Sequence, residues 1–100
     1  MILYNVTINI DKEVESEWLQ WMKQIHIPNV LKTGMFVDHK IYKIMADEPQ
    51  GTSYSIQYFA DSMEKLNNYQ LHFAPALQAE TLENYGKHLV SFRTLLESVD

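Results

Sequence analysis

The side chains able to move a proton near neutral pH are four histidines, His26, His39, His72 and His88. None is spaced as HExxH or HxH, and no two share a helical turn, so no metal site is expected from them. There is no cysteine, which removes thiolate ligands, cysteine nucleophiles and disulfides together. Two of the histidines sit just ahead of prolines, in His26-Ile27-Pro28 and His72-Phe73-Ala74-Pro75. A histidine at such an interruption either lies at a pocket mouth as a general acid or base, or caps backbone carbonyls freed by the break. His72 is the candidate for the first role.

Arg93 is the most informative charged residue. It stands mid-strand between Phe92 and Thr94, where a charge is expensive unless paired or solvated. Two uses fit: an anion clamp, or an edge-strand charge that ion-pairs with Asp38 or a partner and discourages aggregation. Tyr4, Tyr54 and Tyr58 look like a chemical group but recur at strand spacing, and core packing explains them. Glu13, Glu15 and Glu17 suit the start of a helix, and Asp47 with Glu48 a turn. Gly34, Gly51 and Gly86 are too far apart for a phosphate loop.

The elements that must position these groups follow from periodicity. Ile2, Tyr4, Val6, Ile8 and Ile10 alternate with Leu3, Asn5, Thr7 and Asn9, the signature of a strand with two different faces. Asp11 is placed to cap a helix carrying Val14, Trp18, Trp21, Met22 and Ile25; Pro28 is expected to break or kink it and to open a further turn that Gly34 closes. Residues 35–46 read as a second strand, 47–51 as a turn and 52–59 as a third strand. Asp61 heads a capping box for a helix bearing Leu66, Tyr69, Phe73 and Leu77, and residues 88–97 supply the last strand.

Two βαβ halves joined by a tight turn predict a ferredoxin-like βαββαβ domain over residues 1–100, with two helices on one face of a four-stranded antiparallel sheet. The other face would be bare. On this reading it carries Leu3, Asn5, Thr7, Asn9, Ser53, Ser55, Gln57 and Phe59, with Leu89, Ser91, Arg93 and Leu95 from the last strand. Such a face is too apolar for water alone and is expected to meet a second copy, making a dimeric α+β barrel with a lumen. Asn5, Thr7, Ser55, Gln57 and Arg93 are then the candidate ligand-binding groups.

Composition narrows the partners. The net charge is −5, and the eight Lys and Arg are scattered rather than clustered, so nucleic acid is not expected. No apolar run approaches the ~20 residues that cross a bilayer, and the strand pattern at the N-terminus is not that of a signal peptide. The absence of cysteine is compatible with the cytoplasm.

The stretches YNVTINID, EWLQWMKQIHIPNVLKTGMF, SYSIQYFADSMEKLNNY, HFAPALQAE and SFRTLLE resemble a family of short bacterial proteins described only as a domain of unknown function. More distantly the chain resembles the dimeric α+β barrel superfamily that includes antibiotic-biosynthesis-type monooxygenases. The resemblance implies the fold and a homodimer, but no catalytic residues. Some relatives in the superfamily bind haem, using an Asn on the first strand and a nearby Trp. Here Asn5 fits the first, but Trp18 and Trp21 lie on the first helix, and no cofactor is expected. The expected function is therefore cofactor-free binding or conversion of a small carboxylate or carbonyl compound in the lumen. The alternative is a structural or regulatory homodimer whose lumen is packed shut.

Overall fold

The alternation at the N-terminus becomes strand β1 (Ile2–Asp11), in which Tyr4, Val6, Ile8 and Ile10 are all buried. The computed structural model describes residues 1–100. After β1 come α1 (Glu15–Trp21), a π-helical turn (Met22–His26) and α2 (Ile27–Leu31), which form one continuous helical arm. The remaining elements are strands β2 (Asp38–Lys43) and β3 (Gly51–Ala60), then α3 (Met63–His72), α4 (Ala74–Tyr85) and β4 (Leu89–Glu97). The sheet is antiparallel throughout with the order β2-β3-β1-β4. This is the ferredoxin-like α+β architecture. No helix is long and apolar enough to cross a membrane.

The central pair β1–β3 runs in register from Ile2 opposite Ala60 to Asp11 opposite Gly51. Tyr54, Ile56, Tyr58 and Ala60 thus join the buried face of β1, and the helices cover it with Trp18, Met22, Ile27, Val30, Leu66, Tyr69, Ala74 and Tyr85. Burying each of the larger side chains is worth about 1.5–3 kcal/mol, so this layer carries the fold. Carboxylates tie helix to sheet. Glu15 accepts from Thr52 Oγ1 at 2.7 Å and from the Tyr54 hydroxyl at 2.6 Å, and Glu17 accepts from the Tyr85 hydroxyl at 3.0 Å. The two bonds to Glu15, Tyr54's first, hold its carboxyl below the usual range, while burial and then that bond push Tyr54 up to about 12.

The first helix departs from expectation. Pro28 opens a further turn as expected, standing in the first turn of α2 where its missing N–H costs nothing, but Ile27 keeps helical angles and the helix is not broken there. The accommodation lies one turn earlier, where the Ile27 N–H reaches back five residues to the Met22 carbonyl. That wider turn rotates the residues after it by about one position. Ile27 and Val30 take the buried side, and Ile25, expected in the apolar stripe, is 45% exposed. Gly34 ends the arm at a φ of +77°, a left-handed conformation that favours glycine.

Both expected caps also shift. Asp11 closes β1, and α1 has Val14 at its N-cap. In α3 the cap is Ser62, whose Oγ accepts from the Lys65 N–H at 3.2 Å, while Asp61 pairs with the Lys65 ammonium at 3.3 Å.

Candidate functional site

The bare sheet face gathers four of the five residues expected there. Asn5 stands opposite Gln57, and Thr7 opposite Ser55. Ser55 Oγ donates to Asn5 Oδ1 at 2.6 Å, Asn5 Nδ2 donates to Thr7 Oγ1 at 3.0 Å, and Gln57 Nε2 donates to Ser55 Oγ at 3.2 Å. The chain of bonds is lateral, running from Gln57 through Ser55 and Asn5 to Thr7 within the sheet, and each of the four residues has at least one partner in it.

Arg93 is not among them. The β1–β4 register sets it opposite Val6, on the helix side, together with Leu89, Ser91 and Leu95. The bare face of β4 carries Val90, Phe92, Thr94 and Leu96 instead, with Thr94 opposite Asn5 and Phe92 opposite Thr7. The assignment of β4 is thereby reversed. The physical reason is that β4 is an edge strand exposed on both sides, so apolar residues occupy both parities and alternation carries no sign. His72 is displaced too: it is exposed at the end of α3, in the layer across the sheet from Asn5, and borders no cavity with these groups.

What Arg93 does face is a cavity of about 140 Å³ between sheet and helices. Tyr4, Ile56 and Tyr58 form its floor, and Met22 and His26 of the π-helical turn and Tyr69 of α3 its walls. Leu77 and Thr81 of α4 and Ser91 and Arg93 of β4 complete it. Ser91, Arg93 and Leu82 are exposed, so the cavity reaches the surface between α4 and β4.

Its electrostatics are one-sided. No carboxylate lines the cavity, and Arg93 makes no ion pair. Arg93 Nε donates to the Tyr4 hydroxyl at 3.0 Å, which fixes the guanidinium and leaves its two terminal nitrogens available. His26 stacks on Trp21 with ring centres 5.2 Å apart and holds Nδ1 3.4 Å from Thr81 Oγ1. Burial, and secondarily the Arg93 charge, depress its pKa to about 4, so the imidazole is neutral at physiological pH. Burial pushes Tyr58 and Tyr69 well up, keeping both phenols protonated. The Tyr58 hydroxyl is buried with no hydrogen-bond partner. An orphaned polar group of this kind costs about 1–3 kcal/mol, and such groups concentrate where something else binds.

A third cluster escaped the sequence entirely. His88 Nδ1 lies 3.3 Å from Asp11 Oδ2 and 3.4 Å from Glu13 Oε1, joining the end of β1 to the start of β4. Glu13 is exposed and the other two partly exposed, and the imidazole nitrogen lies within reach of both carboxylates. The meeting of His26 with Arg93 was equally illegible, because only strand register brings residue 93 to residue 26.

Known proteins fit this geometry at the level of fold. A crystal structure of a dimeric ferredoxin-like protein from an uncultured marine organism is 16% identical, with a TM-score of 0.70, covering 100% of this chain and 96% of that one. A candidate antibiotic biosynthesis monooxygenase from Deinococcus radiodurans is 10% identical with a TM-score of 0.69, over 100% and 94% of the two chains. SnoaB, a cofactor-independent oxygenase from Streptomyces nogalater crystallised as a point mutant, is 10% identical with a TM-score of 0.64, over 99% and 94%. No functionally curated protein matches the chain. The family model "Domain of unknown function (DUF4286)" matches residues 1–99, and the chain belongs to that family.

Proposed function

We propose that this chain is a homodimer, paired through its bare sheet face, that holds a small organic carboxylate or carbonyl compound without metal or cofactor in the cavity between sheet and helices. The observation that carries the ligand is Arg93: a fixed guanidinium on a cavity wall that offers it no carboxylate. The unpartnered hydroxyl of Tyr58 supports it. Arg93 keeps the role of anion clamp, now on the helix side, and His26 takes the place held for His72 as the proton-handling group.

Pairing is supported by the apolar rim of the bare face. Val90, Phe92 and Leu96 are 70%, 61% and 49% exposed on one edge, and Tyr42 is 51% exposed on the other. Between them lies the Asn5–Thr7–Ser55–Gln57 network, whose internal hydrogen bonds lower the cost of burying it. A dimeric neighbour of the same fold adds to this.

The network also favours a second reading, a structural or regulatory homodimer with a closed lumen, because it needs no ligand. Two measurements separate the readings. Sedimentation at micromolar concentration gives a species of twice the 11.8 kDa chain mass; a clean monomer removes the dimer from both. Ligand-observed NMR with a set of small carboxylates and ketones gives hits that Ser91→Trp, which fills the cavity mouth, abolishes. Hits that persist in Ser91→Trp remove this cavity as the site, and no hits at all leave only the structural reading.

A further inference from the structure

Resting on the reading of that cavity as a ligand site, we infer that its ligand is a monoanion built on a single ring, an aromatic carboxylate of benzoate size. Three features of the cavity converge on this class.

Size sets the ring count. An apolar cavity of about 150 Å³ holds one benzene ring. At about 140 Å³ this cavity accommodates one ring and not two fused ones. Shape sets the planarity. Tyr4, Tyr58 and Tyr69 belong to an aromatic cluster with Phe36, with ring centres 4.8–6.3 Å apart and mixed tilts. Tilted ring edges and faces are what a flat aromatic guest meets well, through offset and edge-on contacts.

Charge sets the headgroup. With Nε committed to Tyr4, Arg93 retains the fork made by its two terminal nitrogens, which matches the two oxygens of a carboxylate. His26 adds no second positive charge, being neutral, and no acidic side chain lines the wall. One positive charge against none negative suits a monoanion. A zwitterion is disfavoured, because its ammonium would face Arg93 with nothing to pair it. The exposed position of Arg93 at the edge leaves the carboxylate near the mouth and sends the ring inward.

The test uses the purified full-length protein at pH 7 and calorimetric titration with benzoate, benzamide, benzylammonium and 2-naphthoate. Benzoate is expected to bind at least tenfold more tightly than each of the other three. Arg93→Gln is expected to bring benzoate down to the benzamide value while the melting temperature stays near that of the parent. If Arg93→Gln does not fold, the series in the parent protein decides alone. Equal affinity for benzamide and benzoate overturns the anion while the cavity remains a ligand site. Tighter binding of 2-naphthoate overturns the single ring in the same way. Preference for benzylammonium overturns the charge argument. Failure of all four to bind removes the inference, and the NMR screen of ketones and aliphatic acids then decides whether the cavity reading goes with it.

Discussion

The two faces of one sheet are built from the same strands yet treat polar groups in opposite ways. On the bare face, hydroxyls and amides lie side by side and bond to one another, as Ser55 does to Asn5 and Asn5 to Thr7. On the helix face, polar groups are few, and three of them lack a protein complement: the Tyr58 hydroxyl and the Trp18 indole N–H have no partner, and the Arg93 guanidinium has no counter-charge. A satisfied network tolerates burial against any shape-matched surface, whereas an unsatisfied one waits for a specific guest. Under the proposed function, the difference assigns assembly to the bare face and binding to the helix face.

The sharpest way to break that comparison is to mutate neighbours in sequence that look opposite ways. Ile56 is fully buried under the helices, and Ile56→Ala is expected to cost about 2–5 kcal/mol, dropping the melting temperature at every protein concentration. The same protein should still sediment as a dimer whenever it is folded; dissociation in this variant would mean the two faces are not separable.

Acid probes the helix face alone. His26 titrates near its ordinary 6.5 when unfolded and at about 4 when folded, so between these values the unfolded chain binds the extra proton. Stability is therefore expected to fall as pH drops from 6.5 to 4, by an amount on the order of 3 kcal/mol as an upper bound. Glu15, with its depressed value, loses stability in the same direction below 4.5, so the readout is the difference between parent and His26→Gln. Denaturant unfolding at stepped pH should give a flatter profile for the variant over that window; parallel profiles would refute the buried neutral imidazole.

Phe92→Asp addresses the other face. Phe92 is 61% exposed and lies on the bare side of β4, so the charge is solvated in a monomer and costly in a dimer. Association weakened at least about hundredfold, roughly 2.7 kcal/mol, is expected by sedimentation, with secondary structure unchanged. An unaltered dimer would move the interface elsewhere. The smallest effect belongs to Asn5→Ala, which removes an acceptor from Ser55 and a donor to Thr7 and should cost about 1 kcal/mol in thermal melts. Benzoate binding should not change in that variant, since Asn5 lies across the sheet from the cavity.

Much of this was legible where a strand is buried on one side only. In β1 and β3 the alternation of Tyr4, Val6 and Ile8, and of Tyr54, Ile56 and Tyr58, identified the faces correctly because burial selects one parity. Leu89, Val90, Phe92, Leu95 and Leu96 occupy both parities on an edge strand, and there the register alone decides. That single ambiguity put Arg93 on the wrong face. Ile25 was misplaced for a different reason: a helical stripe assumes a constant turn, and the turn at Met22–His26 is wider.

That wider turn amounts to one extra residue in the helical arm. Removing one exposed residue from it, Gln24, would bring Trp18, Met22, Ile27 and Val30 to spacings of four, four and three, the ordinary helical period. The turn thus has the form of a regular helix carrying one extra residue, accommodated by the longer reach from the Ile27 N–H to the Met22 carbonyl. A deletion of Gln24 is expected to melt higher than the parent and to bind benzoate less well, because the wall carrying Met22 and His26 would tighten. Stability and affinity would then move in opposite directions on the loss of a single residue.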